Sequence, residues 1–351
     1  SLTLFIVLVA ALAAIHVMPL DVAPYEKATQ ERLGEPVRIG SIRFSLIPRP
    51  HLTFEKVNIG TEPKLQIRLI TAVPEFGSMF APRKVLRSME IEGLGLSGLF
   101  ASRALWGKGS DESLRIDRLV AKQVKFEIDG MALPPLDVEA SLGPAGLEKA
   151  QLSHAPSGLT ISVQPAGGKA VVEISAKQLA LPFAEKIVLG EFSGKGTLGA
   201  LDLTLSEFEG RAFDGRLSGN ARLSWRDGWS FEGEVAAQGM DAEKLAAPTL
   251  SSGRLDGKGV FGMKAPAPDK LMLTARIEGS FNIQKGTVAN IDFSRLLQGS
   301  TAGGGSTLFS EMTGMFVADP NRMQFRQLRL SAGLLSATAT ADVEAQKNVT
   351  G

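Results

Sequence analysis

The sequence predicts a mostly β protein built from antiparallel strands, with a few short helices. From Val37 onward, apolar and polar residues alternate over short runs, which is the period of a strand whose two faces differ. Glycine-containing turns separate these runs at intervals of about 8 to 12 residues, a spacing typical of antiparallel all-β architectures. Helical segments do not alternate regularly with strands, so a βαβ nucleotide-binding fold is disfavoured.

The chain begins with an almost unbroken apolar run. Between Leu2 and Met18 only Thr3 and His16 are polar, and Pro19 follows. About 17 to 20 such residues cross a hydrocarbon core in helical form. A cleaved signal peptide is the alternative, but Val17 to Leu20 make a poor cleavage site. We therefore predict a transmembrane anchor at residues 1–20 and a β-rich domain at residues 21–351.

The predicted strands are the runs of strict alternation. Ile42 to Leu46 and Leu52 to Val57 lie on either side of a Pro48-Arg49-Pro50 corner, and Val124 to Ile128 ends at the turn dipeptide Asp129-Gly130. Further strands are predicted at Leu159 to Val163, Leu201 to Leu205, Arg222 to Trp225, Leu271 to Ile277 and Met323 to Leu330.

Helices are predicted at only a few places. They are Ala23 to Leu33, Ser78 to Arg87, Leu179 to Val188, Asp241 to Ala247 and Asp292 to Leu297, with Asp241 and Asp292 as N-caps. The glycine pairs in Gly194 to Gly196 and Gly253 to Lys258 are interpreted as turns. Interruptions by Pro, Gly and charge at residues 107–112 and 264–269 indicate possible subdivisions of the β-rich domain.

Composition and motifs exclude several kinds of function. With 38 Lys and Arg against 37 Asp and Glu, the chain has no overall charge to attract nucleic acid, and its basic residues do not interleave with aromatic ones. There is no Cys, and none of the three His residues has a second His three or four positions away. No nucleophile elbow is present. We therefore expect no enzyme, no cofactor and no metal site.

Two stretches resemble the AsmA family of bacterial envelope proteins. The first, Val37 to Gly60, has a strand, a Pro-x-Pro corner and an L-x-F-x-x-V-x-I-G strand directly after a single anchor. The second runs from Gly279 to Val288, through Ile291 to Leu297, and after a glycine loop to Leu335. Their order and spacing carry the resemblance, over about a third of the chain.

The resemblance implies a long, twisted antiparallel sheet curled into an open groove that is apolar inside and polar outside. The residues alone favour an ordinary β-sandwich, in which a second sheet covers the apolar face. In a groove, the lining would be same-face apolar side chains, which in a sandwich would be plain core. The candidates are Ile42, Phe44, Leu46, Leu52, Phe54, Val124, Phe126, Ile128, Leu201, Leu203, Leu205, Leu273, Ile277, Phe281 and Ile283.

The resemblance also implies a function and a location. The expected role is to hold or transfer phospholipid, or another lipid with acyl chains, along the groove in envelope and outer-membrane biogenesis. The chain would be a single-pass protein of the bacterial inner membrane, with most of its length in the periplasm. The alternative is a scaffold or assembly factor for outer-membrane proteins, which would bind an envelope protein partner through its sheet edges.

Overall fold

A computed structural model describes most of the β-rich part of the chain. The described residues are 21–33, 35–47, 49–61, 65–75, 77, 84–97, 114–143, 146–290, 292, 304–333, 335–344 and 349–350. Of these, 73% lie in strands, which confirms the mostly β fold. The chain divides into two units, residues 1–172 (unit 1) and residues 173–351 (unit 2).

Unit 1 contains one α-helix and twelve complete strands in its described part. Helix α1 spans Ala23–Leu33, as the sequence predicts. The strands are β1 Val37–Arg38, β2 Ser41–Ser45, β3 His51–Ile59, β4 Leu65–Pro74, β5 Lys84–Glu92, β6 Gly95–Ser97, β7 Leu114–Ile116, β8 Arg118–Ile128, β9 Met131–Ala132, β10 Leu136–Gly143, β11 Gly146–His154 and β12 Leu159–Ala166. A short 3₁₀ helix, Ala155–Ser157, connects the last two.

The sheet of unit 1 is mixed, so the prediction of purely antiparallel pairing is wrong here. Strands β2, β3, β4 and β5 pair antiparallel in chain order, and β8, β10, β11 and β12 do the same. The two groups meet through parallel pairs of β5 with β7 and β8, and of β6 with β8. A parallel pair needs a long connection, here residues 98–113, and its direction is not encoded in the alternation of either strand.

Unit 2 begins within strand β13, Lys169–Leu181, and contains the remaining elements. The strands are β14 Ala184–Leu198, β15 Asp202–Ala212, β16 Gly215–Ser224, β17 Trp229–Asp241, β18 Leu250–Ala265, β19 Arg276–Ala289, β20 Ser306–Ala318, β21 Arg322–Ala332, β22 Leu335–Glu344 and β23 Val349–Thr350. Each strand from β14 to β22 pairs antiparallel with the next in the chain.

Two short helices lie between strands of unit 2. Helix α2, Ala242–Ala246, starts at the predicted N-cap Asp241, whose carboxylate accepts a hydrogen bond from the Glu243 N–H at 3.0 Å. Lys244 Nζ donates to Asp214 Oδ2 at 2.6 Å, and this contact lowers the pKa of the Asp214 carboxyl and raises the pKa of the Lys244 ammonium. The second is a 3₁₀ helix, Pro268–Thr274, which takes the first four residues of the strand predicted at Leu271 to Ile277; Arg276 and Ile277 belong to β19.

Two other predicted helices are wrong in the described residues. Leu179 to Val188 forms the end of β13, a turn and the start of β14. Lys84 to Arg87 belongs to β5, while residues 78–83 lie outside the described part. The Leu, Ala and Lys content of these stretches suits a helix, but pairing with neighbouring strands overrides such weak propensities. The predicted helix Asp292 to Leu297 lies outside the described residues except for Asp292.

Glycines inside the strands serve close backbone approach rather than the turns that we predicted at two of these places. Gly194 to Gly196 lies in β14, and Gly253 to Lys258 lies in β18. A methyl group on Gly196, Gly219 or Gly279 would overlap with a carbonyl oxygen of the adjacent strand. Only a residue without a side chain fits at these positions.

We predict that Gly279→Ala lowers the free energy of unfolding by about 2 kcal/mol, because the new methyl would collide with the Lys258 carbonyl oxygen and overpacking costs about 1 to 3 kcal/mol. Gly262→Ala in the adjacent strand is the matched control, since nothing lies within 4 Å of its added methyl. Urea unfolding followed by circular dichroism measures both. Equal stabilities of the two variants would contradict the close approach.

Candidate functional site

The sheet of unit 1 has one continuous apolar face. Residues paired across a ladder point to the same side of a sheet, so the registers define rows of side chains. Two apolar rows cross eight strands each, through β2, β3, β4, β5, β8, β10, β11 and β12. The first is Ile42, Phe54, Ile70, Ile91, Ala121, Val138, Leu152 and Ile161; the second is Phe44, Leu52, Ala72, Met89, Leu119, Ala140, Ala150 and Val163.

The opposite face of unit 1 is polar. The row between the two apolar ones runs through Arg43, Thr53, Thr71, Glu90, Val120, Glu139, Gln151 and Ser162. Ion pairs lie on this face, among them Arg43 with Glu55 at 3.6 Å and Arg118 with Glu139 at 2.7 Å. The two faces therefore differ in the way that strict alternation predicts.

Helix α1 covers part of the apolar face of unit 1. Tyr25 packs edge-on against Phe54, with ring centroids 6.0 Å apart, and the Ile39 N–H donates to Glu26 Oε1 at 2.7 Å. Beneath it, Ile42 and Val124 are 1% and 0% exposed. This region is a closed core, and it fixes the helix against the first strands of the sheet.

A second apolar surface lies on unit 2, and we call it the unit 2 apolar face. It consists of four adjacent rows defined by the registers of β14 to β22. The first row is Leu198, Leu203, Leu223, Phe231 and Met263. The second is Gly196, Leu205, Ala221, Gly233, Phe261, Ile277, Ala318, Met323 and Val343. The third is Gly194, Phe208, Gly219, Val235, Gly259, Gly279, Phe316, Phe325 and Ala341. The fourth is Gly210, Leu217, Ala237, Gly257, Phe281 and Gly314.

Each end of the unit 2 apolar face is closed by a short helix. At one end the 3₁₀ helix Pro268–Thr274 packs against β17 and β18, and its Leu271 is fully buried, as is Trp229 of β17. At the other end Ala242 of α2 packs in a cluster of buried residues with Leu250, Ile283, Val288, Phe309 and Leu330. The helices thus leave the middle of the face between them.

The middle of the unit 2 apolar face is aromatic and only half-buried. Phe231 packs on Phe261 with centroids 4.9 Å apart, and Phe281 packs on Phe325 at 5.9 Å. All four side chains keep part of their surface exposed. The described strands β14 to β22 form one ladder, so the second sheet of the predicted sandwich is not found within the described part of unit 2.

Glycines and aromatic residues lie side by side on neighbouring strands of this face. The Phe261 ring lies against Gly233 of the next strand, and the Phe281 ring lies against Gly314. An aromatic side chain that covers a cross-strand glycine protects its backbone and widens the apolar surface. The result is a surface in which large aromatic rings lie directly on the backbone of neighbouring glycines.

Bulges keep the apolar side chains on this face where alternation alone would reverse them. In β15 the apolar residues Leu205 and Phe208 are three positions apart, and their partners Ala221 and Gly219 are two apart. The same spacing occurs in β17, where Ala237 and Met240 are three positions apart and their partners Gly257 and Leu255 are two apart. Each bulge takes one extra residue out of the regular pairing and so keeps the face that a strict period of two would lose.

The structure places the unit 1 candidates mostly on its apolar face. Ile42, Phe44, Leu52 and Phe54 lie in the two rows. Val124 pairs with Leu136 after a bulge at Gln123, and Phe126 and Ile128 follow on the same side of β8. Leu46 lies in the corner after β2, outside the strand.

The unit 2 candidates divide into two groups. Leu203, Leu205, Ile277, Phe281 and Ile283 lie on the apolar side of their strands. Two others do not lie in strands: Leu201 is in the bend before β15 and is 38% exposed, and Leu273 is in the 3₁₀ helix and is 71% exposed. The Pro-rich stretch before Leu273 ends β18 and starts this helix instead of a strand.

Sequence reasoning missed the most prominent aromatic residues of this face, Phe231, Phe261, Phe316 and Phe325. The alternation Trp229, Phe231, Gly233, Val235 was a usable signal for β17. It was obscured because the glycines were interpreted as turn residues. Glycine opposite a cross-strand aromatic ring is the pattern that would have identified these strands.

The His, Asp and Glu side chains of the described residues are the candidate ligands for a metal ion. Within these ranges no group of three or more His, Asp or Glu side chains could hold a metal ion. His154 Nδ1 contacts Ser157 Oγ at 2.8 Å within one turn, and His51 Nδ1 contacts the Arg49 carbonyl oxygen at 2.8 Å. Both histidines take part in local hydrogen bonds at strand ends.

The predicted anchor, residues 1–20, lies outside the described part of the chain. From residue 21 onward, none of the described helices has the length and apolar character needed to cross a membrane. The possible subdivision at residues 107–112 is likewise outside the described residues, and residues 264–269 run from the end of β18 into the 3₁₀ helix.

Comparisons of the chain with protein-family models, with curated proteins and with solved structures find no match.

We predict that deletion of Arg329 destabilises unit 2 by about 1.5 kcal/mol or more. Arg329 lies in the regularly paired part of β21, so its loss would turn Leu328 or the buried Leu330 to the polar face, at a cost of about 1.5 to 3 kcal/mol. Deletion of Gln327 is the matched control and should cost less, because it removes the extra residue of the bulge and leaves Phe325 and Leu328 two positions apart on the same face. Denaturant unfolding measures both variants, and equal destabilisation by the two deletions would show that the bulge does not set the face.

Proposed function

We propose that this chain holds acyl chains of phospholipid on its apolar β-sheet face and passes them along it. One observation carries the proposal: the unit 2 apolar face crosses nine strands and keeps Phe231, Phe261 and Phe281 half-exposed, whereas the other face is charged. A contiguous apolar surface of this kind marks an interaction site. Lipid tails match its chemistry, and lipid headgroups could remain in water.

The energetics suit a carrier more than a specific receptor. Each methylene transferred from water contributes about 0.8 kcal/mol, so a chain of about a dozen carbons is held firmly. The rows repeat Leu, Phe and Gly from strand to strand with few polar groups to fix one position. A lipid tail could therefore slide over the face from one strand to the next at little cost in free energy. No catalytic side chain is needed for this role.

Two further features support the proposal. The backbone approach at Gly219 and Gly279, on the apolar side, is closer than any residue with a Cβ allows, which is consistent with a sheet that bends around this face. The resemblance of Val37 to Gly60 and of Gly279 to Leu335 to the AsmA family agrees with the same role. On this basis we place the chain in the bacterial inner membrane through residues 1–20, with its β-rich part in the periplasm.

A scaffold that binds an envelope protein by strand addition is the second candidate. Its specific observation is strand β22, where Ser336 to Thr340 are exposed and the described part of β23 pairs only with Asp342 and Val343. An exposed strand edge presents unpaired backbone donors and acceptors to a partner strand. This candidate predicts a protein contact at β22 and no lipid on the apolar face.

The proposal predicts face-specific contact with lipid. A photoreactive phenylalanine analogue at position 261 should crosslink to phospholipid in membranes from a bacterial host, because Phe261 lies on the apolar face. The matched control is the same analogue at Val260, the adjacent residue on the opposite face, which is 53% exposed. Mass spectrometry of the crosslinked chain identifies the adduct. The expected result is a lipid adduct at position 261 and none at position 260.

Two outcomes would contradict the lipid proposal. Equal lipid labelling at both positions would indicate adventitious contact with the membrane. If the analogue at position 261 gives no lipid adduct, and the analogue at exposed Thr338 of β22 gives a protein adduct, the scaffold is favoured. Because the analogue resembles phenylalanine in size, position 261 keeps its ring and the fold is retained.

The proposed location predicts that the full chain sediments with membranes and that a chain starting at Asp21 does not. In spheroplasts, added protease should degrade the β-rich part of the full chain. Protection of the β-rich part until the membrane is broken would contradict a periplasmic location.

A further inference from the structure

The β13–β14 hairpin makes a contact that the ladder of unit 2 does not explain. Phe183, in the turn between the two strands, packs its ring on Phe231 of β17, with centroids 5.1 Å apart and planes at 60°. Phe231 in turn packs on Phe261. Strand β17 is the third strand from β14, since β15 and β16 lie between them.

The registers show how far apart these two rings would be in a flat sheet. Phe231 is level with Leu198 of β14, through Leu223 and Leu203. Phe183 precedes Leu198 by fifteen residues, which is about 50 Å of straight strand, and three strand spacings add about 14 Å sideways. The observed contact therefore requires the hairpin to fold back across the apolar face.

A hinge for this fold-back is present in β14. Glu191 has a φ of 45°, and the pairing with β15 shifts between Gly190 and Ser193, so a bulge bends the strand here. From Glu191 to Phe183 is eight residues, and from Glu191 to Leu198 is seven. A strand that turns back at Glu191 thus brings Phe183 level with Phe231.

The hairpin beyond the hinge is otherwise lightly held. Ile187 and Val188 are neighbours in β14 and point to opposite sides, yet they are 42% and 48% exposed. Neither side of the strand is covered there. Leu189 and Phe192, on either side of the hinge, are 7% and 5% exposed, so the base is anchored in the core.

We propose that residues 178–188, here called the flap, form a movable cover over the unit 2 apolar face, with Phe183 occupying the place that a lipid tail takes. This inference rests on the proposed function. In the resting state the Phe183 ring shields Phe231 and Phe261 from water. A lipid tail entering between the rings displaces Phe183, and the flap swings about Glu191. The ligand class is a single alkyl chain, because one aromatic ring is what it replaces.

The absence of Cys allows a direct test on the full chain with two spin labels. One is placed in the flap by Ala184→Cys and the other by Asp227→Cys, in the exposed turn next to β17. Pulsed electron spin resonance measures their separation. A short distance, below about 25 Å, is expected without ligand. A separation of about 60 Å, the straight-strand value for the eighteen residues between the levels of the two labels, would overturn the resting contact.

Two variants test the contact of Phe183 with Phe231. Phe183→Ala should move most of the population to the long distance, because it removes the ring that packs on Phe231. Ile187→Ala removes an exposed apolar side chain from the same flap and should leave the short distance unchanged. Identical distance distributions for the two variants would overturn the role of Phe183.

Sodium laurate, with one alkyl chain, tests the link to ligand. The expected result is a shift to the long distance at laurate concentrations where native mass spectrometry detects the bound adduct. Bound laurate with an unchanged short distance would overturn the flap and leave the proposed function standing. A third outcome is that neither laurate nor phospholipid binds, while the flap still opens in Phe183→Ala. This would overturn the proposed function and the ligand-linked opening, and the resting contact of Phe183 with Phe231 would stand.

Discussion

The structure depends on one constraint, which is that the strands keep most of their apolar side chains on the same side of the sheet. In unit 2 this holds across the ladder from β14 to β22, where Leu203, Phe231 and Ile277 belong to one surface. Since side chains alternate with a period of two, one extra residue would reverse a strand. The bulges after Leu205, Ala237 and Phe325 prevent this, because each takes one extra residue out of the regular pairing. The polar face, the ion pairs and the exposed aromatic rings all follow from that alignment.

Much of the fold could be predicted because alternation is a local property. The faces of β2, β3 and β8 follow from Ile42, Phe54 and Val124 in the sequence, and the N-cap of α2 follows from Asp241. Pairing partners could not be predicted in the same way. The parallel pairs of β5 with β7 and β8 depend on how a distant segment returns to the sheet, and no residue in either strand encodes that direction.

The candidate site was predicted in part, and the misses share one cause. Glycine was interpreted as a turn signal, yet Gly233, Gly259 and Gly279 lie inside strands of the unit 2 apolar face. Their conformational role is set by an aromatic ring or a carbonyl group on the neighbouring strand, which is tertiary information. Leu273 shows the opposite error: its alternation with Leu271 suits a strand, but Pro268 starts a 3₁₀ helix and exposes it. The contact of Phe183 with Phe231 is also tertiary, and no local sequence pattern predicts it.

Native mass spectrometry with lipid extraction, on a chain beginning at Asp21 and purified from a bacterial periplasm, tests the central claim most directly, because this chain lacks the segment predicted to hold membrane lipid by itself. A two-faced sheet that carries acyl chains should retain at least one phospholipid per chain. It should lose that lipid when Phe231 and Phe281 are changed to Asp and keep it when the exposed Val260 is changed to Asp. A folded parent chain that carries no lipid would contradict the account.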